Sequence, residues 1–291
     1  MKNMKRGLIV LIGVASFGVA AQTAVHSYFT APSGDWNVAA NWDSGVVPNG
    51  SDAYAHIRKS ATVTISTKTD QISRFQLGDS SGSEGTLNIV DGGSLSGIGS
   101  SEVGRMSAVN SIGRMNISGG YYRSGVSVGS QYLKVGVDTA GKPATGMLTI
   151  SGGKVESKLM VGSTGVTGAT PDTLRIEGSA ATVFSDVSPS SGNALVVGQS
   201  GIVEFIFGEN GISCLTYKKS PATFDAGSQV IIDGSAYAGG PKTFKLIDAA
   251  SLSDESATAI TLKGFKLPAT YKWDKAAGDL IVTVGDVIII G

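Results

Sequence analysis

A short phrase of alternating apolar and polar residues recurs through the middle of the chain, mostly between glycines. Its copies begin at Gly85, Gly113, Gly146, Asp172 and Gly201, so successive starts lie roughly 26–33 residues apart. A repeat of this length is one supersecondary unit that cannot bury its apolar face alone and must stack on its neighbours. The repeat therefore predicts a solenoid.

The alternation within each copy predicts which side chains face the interior. Successive side chains of a strand point to opposite faces, and the residues two and four places after each start are apolar. These inward positions are Leu87 and Ile89, Met115 and Ile117, Leu148 and Ile150, Leu174 and Ile176, Val203 and Phe205. The outward positions between them are Asn88, Asn116, Thr149, Arg175 and Glu204.

A second phrase, ending in Val-Gly or Leu-Gly, precedes each copy of the first. Each repeat thus holds two or three short strands joined by glycine turns. The second phrase ends at Gly78, Gly104, Gly136, Gly162 and Gly198. The spacing of an amphipathic helix is absent from this region. The pattern indicates an all-β chain in which residues 72–212 form the coils of a parallel β-helix.

The segments on either side of the repeats differ from them in composition. Residues 22–71 contain Trp36 and Trp42, which we expect to cover the open end of the apolar column; the alternative is that their rings stack on a sugar. Residues 213–291 hold strand-like runs bounded by Gly, Asp and Ser. These runs predict an antiparallel sheet or sandwich that covers the other end of the solenoid and prevents its exposed strands from pairing with other molecules. The alternative is a separate binding module.

Residues 1–21 have the three parts of a secretory signal peptide: a basic start, an apolar middle and small residues before the cleavage point. We therefore expect a secreted or cell-surface protein whose mature chain begins near Gln22. An uncleaved anchor is the alternative, but the apolar run is short for a spanning helix. No second run of spanning length follows, so no membrane span is expected in the mature chain.

Composition excludes some functions. The chain carries 23 Lys and Arg against 23 Asp and Glu, and no basic patch or zinc-ligand spacing is present, so nucleic-acid binding is not expected. Cys214 is the single cysteine, which leaves no intramolecular disulfide. No cation or histidine adjoins it to lower its pKa, so we expect a buried small side chain.

Three motifs together carry a resemblance to a known group. They are the Trp-x5-Trp-x5-Pro-Asn-Gly-x-Asp segment, the two repeated glycine phrases, and Gly-Ser-Gln-Val-Ile-Ile-Asp downstream. The chain resembles exported bacterial β-solenoid proteins, whose members often carry autotransporter-associated strand repeats or a PEP-CTERM sorting tail; no Pro-Glu-Pro tail motif is seen here. The resemblance implies a secreted or surface-associated, right-handed parallel β-helix, a single-stranded solenoid.

Few residues suggest a ligand site. Tyr121, Tyr122, Arg123 and Tyr132 could hold an acidic polysaccharide if the coils bring them to one flank; surface packing is the alternative. Asp79 and Glu84 bracket a loop rich in hydroxyl groups, and calcium prefers oxygen ligands of this kind. The loop lacks an established calcium-binding spacing, so a solvated turn is the competing interpretation.

Two classes of function remain. The first is a structural or adhesive surface protein that contacts extracellular polysaccharide or cell-envelope components. The second, by analogy of fold alone, is a polysaccharide lyase or glycoside hydrolase of the pectate-lyase-like type. Arg175 and Glu204 would then be the reactive pair, although such a pair is more often a salt bridge. No established catalytic motif occurs, and His56 is interpreted as a structural residue.

Overall fold

The computed structural model describes residues 23–104, 109–124, 131–137, 143–163, 171–186 and 192–285. The predicted signal peptide, residues 1–21, lies outside this part of the chain. The described residues form an all-β solenoid of about 8 turns. In the middle of the molecule each coil contributes one strand to each of three parallel ladders.

The first ladder contains nine parallel strands and includes every copy of the first phrase. Its strands are β2 (Ser33–Asp35), β4 (Ala61–Ile65), β6 (Glu84–Ile89), β9 (Ser111–Ile117), β12 (Ala144–Ile150), β15 (Asp172–Glu177), β18 (Gly201–Ile206), β21 (Ser228–Asp233) and β23 (Thr258–Lys263).

The second ladder follows the glycine turn of each copy. Its parallel strands are β7 (Ser94–Gly97), β10 (Tyr121–Ser124), β13 (Gly153–Glu156), β16 (Ala181–Phe184), β19 (Leu215–Tyr217) and β22 (Lys242–Ala249).

The third ladder contains the Val-Gly phrases. Its parallel strands are β1 (Val25–Tyr28), β3 (Gly50–Ile57), β5 (Ile72–Leu77), β8 (Ser101–Val103), β11 (Leu133–Val135), β14 (Leu159–Val161), β17 (Leu195–Val197) and β20 (Ala222–Phe224). A pairing between Ile72 and Gly97 also joins β5 to β7. Among the described residues, two short 3₁₀ segments, Ala39–Asn41 and Glu255–Ala257, lie outside the ladders.

The interior follows the alternation predicted from the sequence. Leu87 pairs with Met115, Met115 with Leu148, and Leu148 with Leu174 across successive coils. All of the predicted inward side chains are fully buried. This column and the apolar positions of the other two ladders form one continuous core.

Trp36 and Trp42 pack into the core beside β2. Their ring centroids lie 4.9 Å apart in an edge-to-face arrangement, and Trp42 Nε1 donates a hydrogen bond of 2.8 Å to the carbonyl oxygen of Trp36. They are 0% and 2% exposed. Their burial corrects the alternative in which their rings form a platform for sugars, since neither ring offers a free face. Their role as a cap stays a prediction.

The parallel ladders continue beyond residue 212, which corrects the predicted boundary of the repeats. Strands β21 and β23 extend the first ladder in parallel as far as Lys263. The glycine phrase is lost there, but the alternation persists, because Val230 and Ile232 are buried.

The predicted antiparallel strands occupy a shorter segment. They are β24 (Ala269–Asp274) and β25 (Asp279–Val284). β25 lies between β22 and β24 and is antiparallel to both.

Candidate functional site

Polar and aromatic side chains accumulate on the outward face of the first strands of the third ladder. The register places His26, Tyr54 and Arg74 in one row across β1, β3 and β5. A second row holds Tyr28, His56, Gln76 and Glu102. We call the following residues the N-terminal polar cluster: His26, Tyr28, Tyr54, His56, Arg58, Arg74 and Asp79.

A chain of three titratable groups runs through this cluster. The Asp79 carboxylate Oδ2 lies 2.5 Å from Nδ1 of His56, and both side chains are 2% exposed. Nε2 of His56 lies 2.7 Å from Nδ1 of His26, which is exposed. The result is a linear Asp79–His56–His26 relay that leads from the buried carboxylate to the surface.

The aromatic rings hold the two histidines in place. The Tyr28 ring stacks on His56 with centroids 4.5 Å apart, and the Tyr54 ring meets His26 edge-on at 5.0 Å. These contacts restrict rotation of the imidazoles and thus fix the direction of the relay.

Two guanidinium groups lie over the outer faces of the same tyrosines. Arg58 Cζ is 4.1 Å from the Tyr28 ring centre, and Arg74 Cζ is 4.6 Å from that of Tyr54. Neither guanidinium pairs with a carboxylate of the described residues. The Nε of Arg74 is also buried without a hydrogen-bond partner there. Cation–π contact, rather than ion pairing, holds these two positive charges.

A second group of side chains lies on the outward face of the second ladder. We call Tyr121, Arg123, Lys154, Glu156 and Phe184 the aromatic–cation patch. Lys154 Nζ lies 5.1 Å from the centre of the Tyr121 ring and 5.0 Å from that of Phe184, so the lysine lies close to both rings, which come from different coils.

Glu156 organises the polar part of this patch. It accepts a short hydrogen bond from the Tyr121 hydroxyl, and its other oxygen lies 3.3 Å from Nε of Arg123. Partial burial and then this hydrogen bond raise the pKa of Tyr121 to about 12. The hydroxyl therefore remains a donor to Glu156 at neutral pH, which orients the Tyr121 ring.

The structure divides the four residues of the predicted polysaccharide site. Tyr121 and Arg123 share the outward face of β10, but Tyr122 between them is fully buried, which corrects its assignment as a surface ligand. Tyr132 belongs to the start of the third ladder, where its hydroxyl donates to the Asn193 carbonyl at 2.9 Å. Lys158 Nζ lies 4.4 Å from the Tyr132 ring centre.

The predicted calcium ligands have different partners. Asp79 is buried against His56, whereas Glu84, 44% exposed, lies 3.1 Å from Arg114 on the next coil. Within the described ranges, no group of three or more His, Cys, Asp or Glu side chains could hold a metal ion. The pairing of Asp79 with His56 gives this carboxylate a role that the loop sequence did not indicate.

Arg175 and Glu204 form the salt bridge that was the alternative to a reactive pair. They are register partners on β15 and β18, with Arg175 Nε 2.6 Å from Glu204 Oε2. Glu177 lies 3.6 Å from the same guanidinium. The hydrogen bond to Glu204 is the main reason that the pKa of Arg175 is raised. A guanidinium held charged in this way is a poor base.

Cys214 is partly buried, and desolvation raises the pKa of its thiol to about 11. At neutral pH the thiol is protonated, so it is a poor nucleophile. This agrees with the interpretation of Cys214 as a packed small side chain.

Comparisons of the chain with protein-family models, with curated proteins and with solved structures find no match. Among the described residues, no helix is long and apolar enough to cross a membrane.

Proposed function

We propose that the protein is a secreted or cell-surface solenoid with a structural and adhesive role, and that it binds acidic extracellular polysaccharide through the aromatic–cation patch. The observation that carries this proposal is the position of Lys154 between the rings of Tyr121 and Phe184. Export is supported by the sequence of residues 1–21, and the resemblance to exported solenoid proteins agrees with it.

The chemistry of the patch suits a charged sugar chain. An aromatic face can pack on the apolar face of a pyranose ring, and the two rings lie on strands β10 and β16, two coils apart. With coils about 4.8 Å apart, that separation is about 10 Å, similar to the length of two sugar units. Rings spaced along one face of a ladder favour an extended polymer over a small ligand.

The charges favour an anionic polymer. The patch holds two cations, Arg123 and Lys154, and one carboxylate, Glu156. Arg123 is 44% exposed despite its contact with Glu156. Lys154 is exposed and has no carboxylate partner among the described residues. One positive charge is therefore left to pair with a sugar carboxylate or sulfate.

Binding of the purified chain to immobilised polygalacturonate, alginate and hyaluronan, with neutral dextran for comparison, tests the proposal. We expect binding to the acidic polymers that weakens as salt rises, because salt screens exposed charges. Phe184→Ala should weaken this binding about tenfold, or about 1.4 kcal/mol. Tyr271→Ala is the matched control, since Tyr271 is an exposed tyrosine on β24, outside the patch.

Two results would contradict the proposal. One is equal binding to dextran and to the acidic polymers, which would show that binding does not depend on the charge of the polymer. The other is unchanged binding by Phe184→Ala and by Lys154→Ala, which would place the interaction elsewhere on the molecule.

A further inference from the structure

We infer that a cleft in the first coil, between the β1–β2 connection and the β3–β4 turn, binds one carboxylate-bearing sugar unit of an acidic polysaccharide. The ligand class is that of the proposed function, and the inference rests on it in that respect. The site itself is separate, because the aromatic–cation patch lies on strands β10, β13 and β16 of the second ladder.

The cleft has a volume of about 230 Å³. Tyr28 and residues 29–32 line it from the β1–β2 connection, and Arg58 and Lys59 line it from the β3–β4 turn. Pockets for drug-sized ligands measure about 300–1,000 Å³. The smaller volume of this cleft therefore suits a single sugar unit better than several.

The Arg58 guanidinium is held in place by aromatic rings. Its Cζ lies 4.1 Å from the centre of the Tyr28 ring, which itself stacks on His56 with centroids 4.5 Å apart. A guanidinium that stacks on a ring keeps the N–H groups in its own plane for other partners. Two of these groups can hold one carboxylate with parallel hydrogen bonds.

The two positive charges of the cleft have no carboxylate partner in the described part of the chain. Arg58 is half-buried and Lys59 is exposed. The carboxylates nearest in the fold, those of Asp79 and Glu84, contact a histidine and an arginine outside the cleft instead. An anionic ligand would therefore meet two cations without competition from these carboxylates.

The backbone of the β3–β4 turn is unusual at the same place. Lys59 and Ser60 have φ angles of 57° and 60°, which residues other than glycine seldom adopt. The register places Arg58 level with Gly78, and the next coils again have glycines with positive φ at this corner, namely Gly104, Gly136 and Gly162. A strained backbone that carries a cation where other coils use glycine points to a function.

Hydrogen bonds fix this turn before any ligand binds. The backbone nitrogen of Lys59 donates to Ser83 Oγ at 2.8 Å, and that of Ser60 donates to the Glu84 carbonyl oxygen at 2.9 Å. Because the turn is already ordered by the next coil, a ligand loses less of its binding energy to ordering the site.

The rest of the lining favours a sugar over an inorganic anion. Ala31 and Pro32 give the cleft apolar side chains beside the two cations. One face of a pyranose ring consists largely of C–H groups and can pack on such side chains, whereas phosphate and sulfate ions have no apolar face. The combination of cations and apolar side chains therefore matches a uronate unit.

The first experiment is calorimetric titration with the trimer of galacturonate. It uses the Phe184→Ala chain, so that the aromatic–cation patch contributes little to the binding. We expect Arg58→Gln to weaken the binding at least about tenfold, and Arg58→Lys to weaken it as well, because an ammonium lacks the planar fork. Arg74→Gln is the matched control, since Arg74 also lies over a tyrosine ring, at 4.6 Å, but does not line the cleft.

Two other ligands test the chemistry of the site in the same titration. Maltotriose, a neutral trimer, should bind at least about tenfold more weakly than the galacturonate trimer. Equal affinity for maltotriose would show that the charge plays no part and would overturn the inference. Equal affinity for inorganic phosphate would overturn it too, because the sugar ring would then contribute nothing.

The second experiment observes the arginine side chains of the wild-type chain. The chain has seven arginines, so NMR of their Nε–H groups gives few signals, which Arg58→Gln and Arg74→Gln assign. We expect the galacturonate trimer to shift the Arg58 signal and to leave the Arg74 signal in place. An Arg58 signal that does not move in the wild-type chain would disprove the site without reliance on the fold of any variant.

The two proposals fail in different ways. If polymers bind and Phe184→Ala weakens the binding but the Arg58 signal does not move, the proposed function stands and the cleft is not a site. If the trimer binds in a way that depends on Arg58 while Phe184→Ala binds polymers normally, the cleft stands and the aromatic–cation patch is not the binding surface.

Discussion

At the scale of single residues, the first glycine of a repeat copy is required because another chain segment touches it. A Cβ built on Gly113 would overlap the backbone nitrogen of Gly104 and lie 2.6 Å from the carbonyl carbon of Val103. Both obstacles are backbone atoms, which cannot rotate away as a side chain can. Glycine at position 113 therefore lets strand β9 of the first ladder lie close to the turn at Gly104, which follows strand β8 of the third ladder.

We predict that Gly113→Ala lowers the free energy of unfolding by about 1–3 kcal/mol, because the methyl group overpacks this contact. Urea denaturation followed by circular dichroism measures the change. Gly240→Ala is the control, since a Cβ there meets no atom within 4 Å and the φ of Gly240 is not in the left-handed region. Equal stability of the two variants would contradict this explanation.

The inward residues could be predicted from sequence, whereas the relay could not. Burial imposes an alternation of apolar side chains, and that alternation is visible in each copy. His56 lies 30 positions after His26 and 23 positions before Asp79, and outward positions follow no pattern of hydrophobicity. Only the coil register brings them together. For Tyr122 the signal was present, because adjacent residues of a strand cannot both face outward.

At the scale of strands, the two faces of one ladder contribute unequally to stability. Strands β15 and β18 present Arg175 and Glu204 outward as a register pair, and Leu174 and Val203 inward as another. The arginine side chain is 40% exposed, so water competes with its ion pair. Leu174 is fully buried.

We predict that Glu204→Gln changes the free energy of unfolding by less than about 1 kcal/mol, because the Arg175 guanidinium is reached by water and keeps Glu177 at 3.6 Å. Leu174→Ala, on the opposite face of the neighbouring strand, should cost about 2–5 kcal/mol because it leaves a cavity. Chemical denaturation of both variants at low and high salt measures the difference. If Glu204→Gln lowers the free energy of unfolding more than Leu174→Ala does, the outward ion pair contributes more to stability than the buried leucine and the prediction is wrong.

The position of the last coils was predicted less well than that of the middle coils. The boundary at residue 212 was based on glycine phrases, which mark tight turns between strands. Stacking itself depends on alternation, and β21 and β23 retain it after the glycines are lost. Burial patterns therefore locate coils more reliably here than turn residues do.

At the scale of the whole molecule, the antiparallel strands lie along the outer edge of β22, the last strand of the second ladder. β25 pairs with the outer edge of β22, and β24 pairs with β25. Without them, β22 would present its unpaired backbone groups to other chains, along with the buried side chains Phe244 and Leu246. An uncovered strand of this kind is a template for association.

We predict that a chain shortened after Lys263 associates through this edge. Size-exclusion chromatography with light scattering should give a larger mass for the shortened chain than for the full chain at equal concentration. Lys245→Glu in the shortened chain should reduce the association if two β22 edges pair antiparallel with Lys245 opposite Asp248, because two carboxylates would then face each other across the new ladder. If the shortened chain is a monomer, the exposed edge of β22 does not cause association and the prediction is wrong.

The stacking of coils also determines how the molecule would respond to a pulling force. Hydrogen bonds between parallel strands run along the stacking direction, so tension applied to the two ends loads every bond of one coil interface together. The interfaces themselves are in series, and the weakest would open first. Each opening would release one coil of about 30 residues, or about 100 Å of extended chain. Anchored between a surface and a polymer, such a molecule would lengthen in steps and absorb work before either attachment broke.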